Sequence, residues 1–379
     1  MKIARIVENY PSGSGEIDRG LLPNIHYLSK LQSDMGNDVT VYTTSNGKQP
    51  EREERDGVRI VRIKKPRMRR TFMGLKVCME IRKNGEIPDI VHSLNPLPLG
   101  WLHKNAREIL PVKFALSVHG SPGAGAPIGG PPSLEKFLIY EFRRLMIGVA
   151  SGVDLVLPVS SFVFRELEIL GIEPGKMRLV PSGVNTEIFV PKETRSRGIP
   201  RILFVGRFSL GKGVPYLIKA ADILRKKYDF RLLLVGGTRF DNGYFTSISM
   251  IRELGLGDIV EVMPPVPHSR LPEIYSSHDV SVLPSEKEAL GKVLLESMSC
   301  GRPVISTRSG GITDIVNDGK NGLLVPPRNP QALAEALGSI IQNTSMRRKM
   351  GSLARKKALN FDWKSIALSY LDAFQEILD

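Results

Sequence analysis

Short apolar runs alternate with longer amphipathic stretches along the whole chain. In the first half, "KIARIV", "DVTVYT", "VRIVRI", "DIVHS", "FALSVHG", "LVLPVS" and "MRLVPSG" predict strands. Helical periodicity lies between them, as in "LLPNIHYLSKLQSDMG", which stops at Gly36, a residue suited to a helix C-terminus. The second half repeats the pattern, with strands in "RILFVGR", "RLLLVGG", "DIVEVMPP", "DVSVLPS" and "PVISTR" and helices such as "VPYLIKAADILRKKY". Near-continuous apolar strands separated by helices predict parallel sheets covered on both faces. The expected fold is therefore α/β, with two doubly wound domains. The polar run "VPKETRSRGIP" (190–200) marks the boundary and divides the chain into 1–188 and 189–362, with 363–379 a final amphipathic helix crossing back to the first domain. Ligands of open parallel sheets collect beyond the carboxyl ends of the strands. Two such domains facing each other are expected to leave a ligand cleft between them.

Composition narrows the class. The 379 residues are 41% hydrophobic and 24% charged, as in ordinary soluble globular chains. No apolar run reaches the length of a membrane span, and the first residues lack a signal peptide's apolar region. Cys78 and Cys300 give neither a disulfide framework nor metal-ligand spacing, so a reducing cytoplasm is expected. The net charge of +14 divides as +7 in residues 1–185 (26 basic, 19 acidic) and +7 in 186–379 (27 basic, 20 acidic). With that even split, 7% aromatics and no stacking motif, no nucleic-acid partner is expected. One cluster stands out: residues 62–83 hold nine basic residues and one acid around Phe72, Met73, Leu75, Val77 and Met79. It reads either as a helix packed on the first sheet or as a segment lying on an anionic membrane surface. On the second reading the protein is peripheral on the inner face of the membrane.

Candidate chemistry centres on "SEKEALGKVLLESMSCG" (285–301), where Glu288 and Glu296 are separated by seven residues. On one helix, eight steps of about 100° would leave them about 80° apart, off a common face. Their setting predicts a different arrangement: Glu288 on the loop ending a strand, and Glu296 about two turns along the next helix. Two carboxylates placed so suit the hydroxyls of a long polyhydroxylated ligand. "FVGRFSLGKGV" (204–214) puts Arg207 and Lys212 on a glycine-containing loop before a helix, a fit to a diphosphate. "TRSGGITDIV" (307–316) is a second strand-to-helix turn able to offer N–H groups to phosphate. "YPSGSGEIDRG" (10–20) is a third glycine turn, but it lacks the GxGxxG spacing of a dinucleotide site.

GRF…GKG, then E-x7-E running into "SMSCGRPVI", then "SGGITDIVNDGKNGLLVPP", resembles the retaining glycosyltransferases of family four. The resemblance extends through "DIVHSLNPLP" (89–98), "SVHG" (117–120), "VLPVSS" (156–161) and "VPSGVN" (180–185). It implies the GT-B architecture of two Rossmann-like domains, the first binding the acceptor and the second a nucleotide sugar of GDP-mannose or UDP-hexose type. Arg207 and Lys212 would then hold the donor diphosphate, Glu296 the ribose, and Glu288 the sugar hydroxyls. His119 would lie beside the transferred sugar; without the resemblance it reads as a buried, satisfied histidine. Gly13 and Gly15 would close over the diphosphate. "ALG" (289–291) departs from the family's Gly-Phe-Gly, though the N–H groups of Leu290 and Gly291 remain available to phosphate or sugar.

The implied reaction is transfer of a hexose to a glycan, lipid-linked or small-molecule hydroxyl with retention of anomeric configuration. The cations face the negative charge that grows on the leaving diphosphate. With no Asp-x-Asp motif and two cations in place, no essential metal or cofactor is expected. Residues 120–133, a Gly/Pro loop after His119, read as a lid over the acceptor or as a plain surface loop. The competing functions are a sugar-nucleotide epimerase of related fold and a basic nucleic-acid-binding protein.

Overall fold

A computed structural model describes residues 1–12, 22–45, 47, 49–64, 73–96, 108–121, 132–192 and 198–379, without the side chains of 132–139 and 142. The chain forms two compact units, Met1–Ser182 with Trp363–Asp379, and Gly183–Asp362. Residues 183–188 belong to the second unit, although the composition shift leaves them with the first. Val184 N–H donates to the Phe361 carbonyl at 2.8 Å, and Thr186 Oγ1 donates to Asp362 at 2.6 Å.

The first unit carries strands β1 Lys2–Ile6, β2 Asp38–Ser45, β3 Arg52–Arg55, β4 Val58–Lys64, β5 Ile90–Ser93, β6 Lys113–Val118 and β7 Leu155–Pro158. Their order in the sheet is β3-β4-β2-β1-β5-β6-β7, parallel except for the β3–β4 hairpin. The pattern of apolar runs misses β3, "REER", because an edge strand carries charge rather than an apolar face. Asp56 and Gly57, both at positive φ, make its two-residue turn. "MRLVPSG" is not a strand. It makes one bridge, Met177 to Val156, and Pro181 has no N–H to continue a ladder.

The core of this unit joins sheet residues such as Val41, Ile60, Ile90 and Leu157 to Trp363, Tyr370 and Phe374 of the C-terminal helix Trp363–Leu378. A polar chain runs through it. The fully buried Arg5 donates to Ser29 Oγ at 2.5 Å, Gln32 Oε1 at 2.7 Å and His92 Nδ1 at 3.3 Å. With Nδ1 accepting, His92 presents Nε2–H to Ser117 Oγ at 2.8 Å, and Ser117 meets the Tyr370 hydroxyl at 3.1 Å. Burial holds the Arg5 guanidinium down at about 10 and, with the Arg5 charge, keeps the His92 ring well below the usual imidazole range.

The second unit carries β8 Arg201–Val205, β9 Arg231–Val235, β10 Val260–Met263, β11 Val280–Leu283, β12 Val304–Thr307 and β13 Gly322–Val325. Their order is β10-β9-β8-β11-β12-β13, all parallel. The strand order reverses between β8 and β11. That switch point opens a crevice at the carboxyl ends of the two strands, because their following connections diverge to opposite faces of the sheet.

His92 makes the first unit sensitive to acid. The unfolded ring binds a proton near pH 6.5, whereas the folded ring stays neutral well below that pH. Its stabilising contribution is therefore complete above about pH 6.5 and is lost on acidification, with a slope of up to about 1.4 kcal/mol per pH unit. His26, also lowered by burial, adds to the effect. Denaturant titrations between pH 7 and 5 are expected to show this slope, and His92→Gln to reduce it. An unchanged slope in His92→Gln contradicts the assignment.

Candidate active site

Three loops meet at the switch point of the second unit. The first leaves β8 as Gly206-Arg207, makes the single turn Leu210–Lys212, and enters the helix Val214–Leu224 through Gly213. The second leaves β11 at Pro284 and enters the helix Lys292–Ser299 through Gly291. The third leaves β12 as "RSGG" and makes one helical turn, Ile312–Ile315.

Glycines set how closely these loops approach. Gly213 has φ +73°, and a Cβ there would stand 2.0 Å from the Pro284 carbonyl oxygen. Gly310 has φ +57°, and a Cβ there would stand 1.9 Å from the Glu288 carbonyl oxygen. No side chain fits at either place. Hydrogen bonds complete the clamp: Glu286 N–H to Gly211 O at 2.9 Å, Gly311 N–H to Glu288 O at 2.9 Å, and Ser309 Oγ to Glu286 O at 2.7 Å. Thr307 Oγ1 donates to the Ser285 carbonyl. The "SGG" turn thus spends Gly311 N–H on holding the Glu288 loop. Its single-turn helix offers less to an anion than its sequence predicts.

The clamp brings Lys212 Nζ to 2.5 Å from Glu288 Oε2, which also accepts from Ser285 Oγ at 3.2 Å. Both side chains are largely buried, at 26% and 14% exposed. Lys212 and Glu288, expected to serve different parts of one ligand, are thus paired. Arg207 is exposed and makes no hydrogen bond or ion pair among the described residues. The N–H groups of Leu290 and Gly291 likewise have no acceptor there, and Gly291 sits at φ +91° with a buried backbone.

Glu296 stands just beyond the first turn of its helix, not two turns in, because the loop occupies every residue from Pro284 to Gly291. It is 3% exposed. His268 Nε2 lies 2.9 Å from its Oε1, and Tyr275 OH donates to its Oε2 at 3.0 Å. Burial pushes the carboxyl up. The His268 hydrogen bond and charge, the Lys292 charge and the Tyr275 hydroxyl outweigh this, so Glu296 lies below its ordinary value and is ionised. Nothing in "VPHSRLPEIYSS" (266–277) marks His268 or Tyr275 as partners of a residue 28 and 21 positions away.

In the first unit, His119 directly follows β6 and is partly exposed, with Nδ1 3.3 Å from Ser182 Oγ. Ser182 Oγ in turn accepts from Asn24 at 3.2 Å. Gly13 and Gly15 lie outside the described residues, as do 122–131 of the Gly/Pro loop and 65–72 of the basic cluster, Phe72 included. The helix Met73–Asn84 turns Met73 and Val77 inward, Leu75 is half-buried, and Met79 is 57% exposed. Its apolar face is therefore committed to the core.

The family described as Glycosyl transferases group 1 matches residues 185–357, and Glycosyltransferase Family 4 matches 24–188. A D-inositol 3-phosphate glycosyltransferase of Corynebacterium jeikeium is 33% identical over 315 residues, covering 78% of this chain and 74% of that one. One of the same description from Acidothermus cellulolyticus is 34% identical over 261 residues, covering 63% and 58%. The chain thus spans somewhat over half the length of that relative. Among solved structures, a sucrose-phosphate synthase of Thermosynechococcus elongatus superposes with a TM-score of 0.82 at 24% identity, over 99% of this chain and 98% of that. Anabaena Alr3699/HepE, solved with UDP-glucose, superposes with 0.76 at 19% identity, over 99% and 100%. Both share the two-unit GT-B fold.

The clamp predicts a contrast between two left-handed glycines. Gly319 has φ +73° with open space around its Cβ position, whereas Gly310 faces the Glu288 carbonyl. Gly319→Ala should cost only the backbone strain, about 1–2 kcal/mol. Gly310→Ala should in addition displace the Glu288 loop, read as faster hydrogen exchange in residues 284–291. Equal exchange in the two variants contradicts the clamp.

Proposed function

The chain belongs to the family-four glycosyltransferases, and from that premise we propose that it moves a hexose from a nucleoside-diphosphate sugar to a hydroxyl acceptor with retention of anomeric configuration. The observation that carries the proposal is the switch point between β8 and β11, whose loops join Lys212 to Glu288 and carry the exposed Arg207 and the uncommitted N–H groups of Leu290 and Gly291. The donor diphosphate lies against Arg207 and Lys212, the ribose on Glu296, and the sugar hydroxyls on Glu288. By the family resemblance, His119 is assigned to the transferred sugar. The same resemblance assigns Gly13 and Gly15, which lie outside the described residues, to the diphosphate.

The chemistry follows from where charge develops. Cleavage of the sugar–phosphate bond leaves negative charge on the diphosphate and positive character on the anomeric carbon. Lys212, held on Glu288, and the backbone N–H groups are fixed before the reaction and stabilise the leaving group without reorganising, and Arg207 adds its charge from the same loop. Glu288 and Glu296 are engaged with sugar and ribose, so neither serves as the nucleophile of a double displacement. The acceptor instead attacks the face that the diphosphate leaves, and a leaving-group oxygen takes its proton. Transfer without a metal is part of the same proposal, because two cations already neutralise the diphosphate.

The family assignment sets transfer above the epimerase and nucleic-acid readings. The Anabaena neighbour's UDP-glucose supports a uridine donor as the first to try, with GDP-mannose the alternative. The relatives' names make inositol 3-phosphate the first acceptor to try. A second reading, contact of residues 62–83 with an anionic membrane, is favoured by one feature. A cavity of about 630 Å³ is lined by five cations, Arg52, Arg62, Lys64, Lys76 and Lys83, against two acids, Glu51 and Glu80, with the exposed Met79 at its side. Cosedimentation with phosphatidylserine vesicles tests it. Retention of the protein in the supernatant at low salt counts against it.

Thermal shifts with ADP, GDP, UDP and their sugar conjugates test the donor site. A ligand at about a hundred times its dissociation constant adds roughly 2.7 kcal/mol. One base should stabilise the protein, and Arg207→Ala and Glu296→Ala should abolish the shift. In turnover, Arg207→Ala is expected to lower kcat by about 10²–10³-fold, the loss typical of removing one donor to developing charge. EDTA should leave the wild-type rate unchanged. A rate restored only by added divalent cation contradicts the metal-free route.

A further inference from the structure

Glu296 is held by two residues from one short segment. His268 lies in the turn His268–Arg270, and Tyr275 lies in the helix Leu271–Ser276 that follows it. Each takes one carboxylate oxygen, at 2.9 and 3.0 Å. Phe189 packs edge-on against both rings, with centroids 5.1 Å from His268 and 6.0 Å from Tyr275. Tyr275 is 1% exposed, and its hydroxyl is raised well above its usual value by burial and by the Glu296 charge, so it remains a donor.

A carboxylate offers about four lone-pair sites, two on each oxygen. His268 and Tyr275 fill one on each and leave one on each. Rotation of the carboxylate about its terminal bond would break both hydrogen bonds, so its plane is fixed. We propose that His268 and Tyr275 are positioning residues for the donor nucleotide: they orient Glu296 so that its two remaining lone pairs meet the two vicinal hydroxyls of the ribose. This rests on the ribose role of Glu296 given above. A carboxylate already held in the bound geometry loses little rotamer freedom when the nucleotide arrives. The pair therefore raises affinity for ribonucleotides specifically. A purely structural role, satisfying a buried carboxylate, would treat all nucleotides alike.

The test compares ligands as well as variants. Full-length protein is titrated calorimetrically with ADP, GDP and UDP, and the tightest binder is carried forward with its 2′,3′-dideoxy analogue. His268→Ala is expected to weaken the ribonucleotide about tenfold, as for loss of one hydrogen bond to a charged group, and to leave the dideoxy analogue unchanged. His268→Gln, whose amide N–H can occupy the place of Nε2–H, should recover most of the loss. Tyr275→Phe should behave like His268→Ala. Should His268→Ala fail to fold, His268→Gln and Tyr275→Phe still decide. Equal weakening of both ligands, or no weakening of either, overturns the proposal. Glu296→Gln separates the two levels. If it removes the preference for ribose while the His268 and Tyr275 variants keep it, only the positioning role falls. If it leaves the preference intact, or if no nucleotide binds the wild type, the donor site falls as well.

Discussion

Two contacts between glycine and carbonyl fix the second unit's functional face. At Gly213 and Gly310 the backbone passes so close to Pro284 O and Glu288 O that any Cβ would overlap the oxygen, at 2.0 and 1.9 Å. The Glu288 loop is thereby caught between the loops that follow β8 and β12. This close approach lets Lys212 reach Glu288 from 76 positions away, while Arg207, earlier on the same loop, stays exposed. The rigidity is structural in origin, yet it serves electrostatics. Charges held by backbone geometry need no rearrangement when a ligand's charge develops beside them.

Charge in this unit is organised by depth. Glu296, deepest, is kept ionised by His268, Lys292 and Tyr275 in a place where an unpartnered carboxylate would be costly. The Lys212–Glu288 pair lies nearer the surface. Arg207 is outermost and exposed. The first unit uses the opposite device. Arg5 is fully buried and is satisfied by neutral partners, Ser29, Gln32 and His92. That polar chain ends on Tyr370 of the C-terminal helix, so the last residues of the chain complete the core begun by the first.

The parallel strands were legible because strands buried on both faces must be short, apolar and bounded by turns. The exceptions follow from the same physics. "REER" pairs only at a sheet edge, where the apolar pattern carries no signal. "GLLV" begins on Gly322 itself, so the turn "NDGKN" before it runs into the strand without a boundary. "MRLVPSG" alternates like a strand, but Pro181 interrupts its donors. Arg207, Lys212, Glu288 and Glu296 were singled out by their glycine-bearing loops and by the family resemblance rather than by spacing alone. Their partners were not. That Lys212 would meet Glu288, and that Glu296 would take His268 and Tyr275, depends on strand order and loop clamping, which no local pattern records.

The most direct measurement is a crystal structure of the full chain with a nucleoside diphosphate. The diphosphate is expected within hydrogen-bond distance of Arg207 and Lys212, with the ribose hydroxyls on Glu296 and the Gly213 and Gly310 contacts unchanged. Phosphate bound away from the crevice between β8 and β11, with Arg207 still without a partner, would contradict the account.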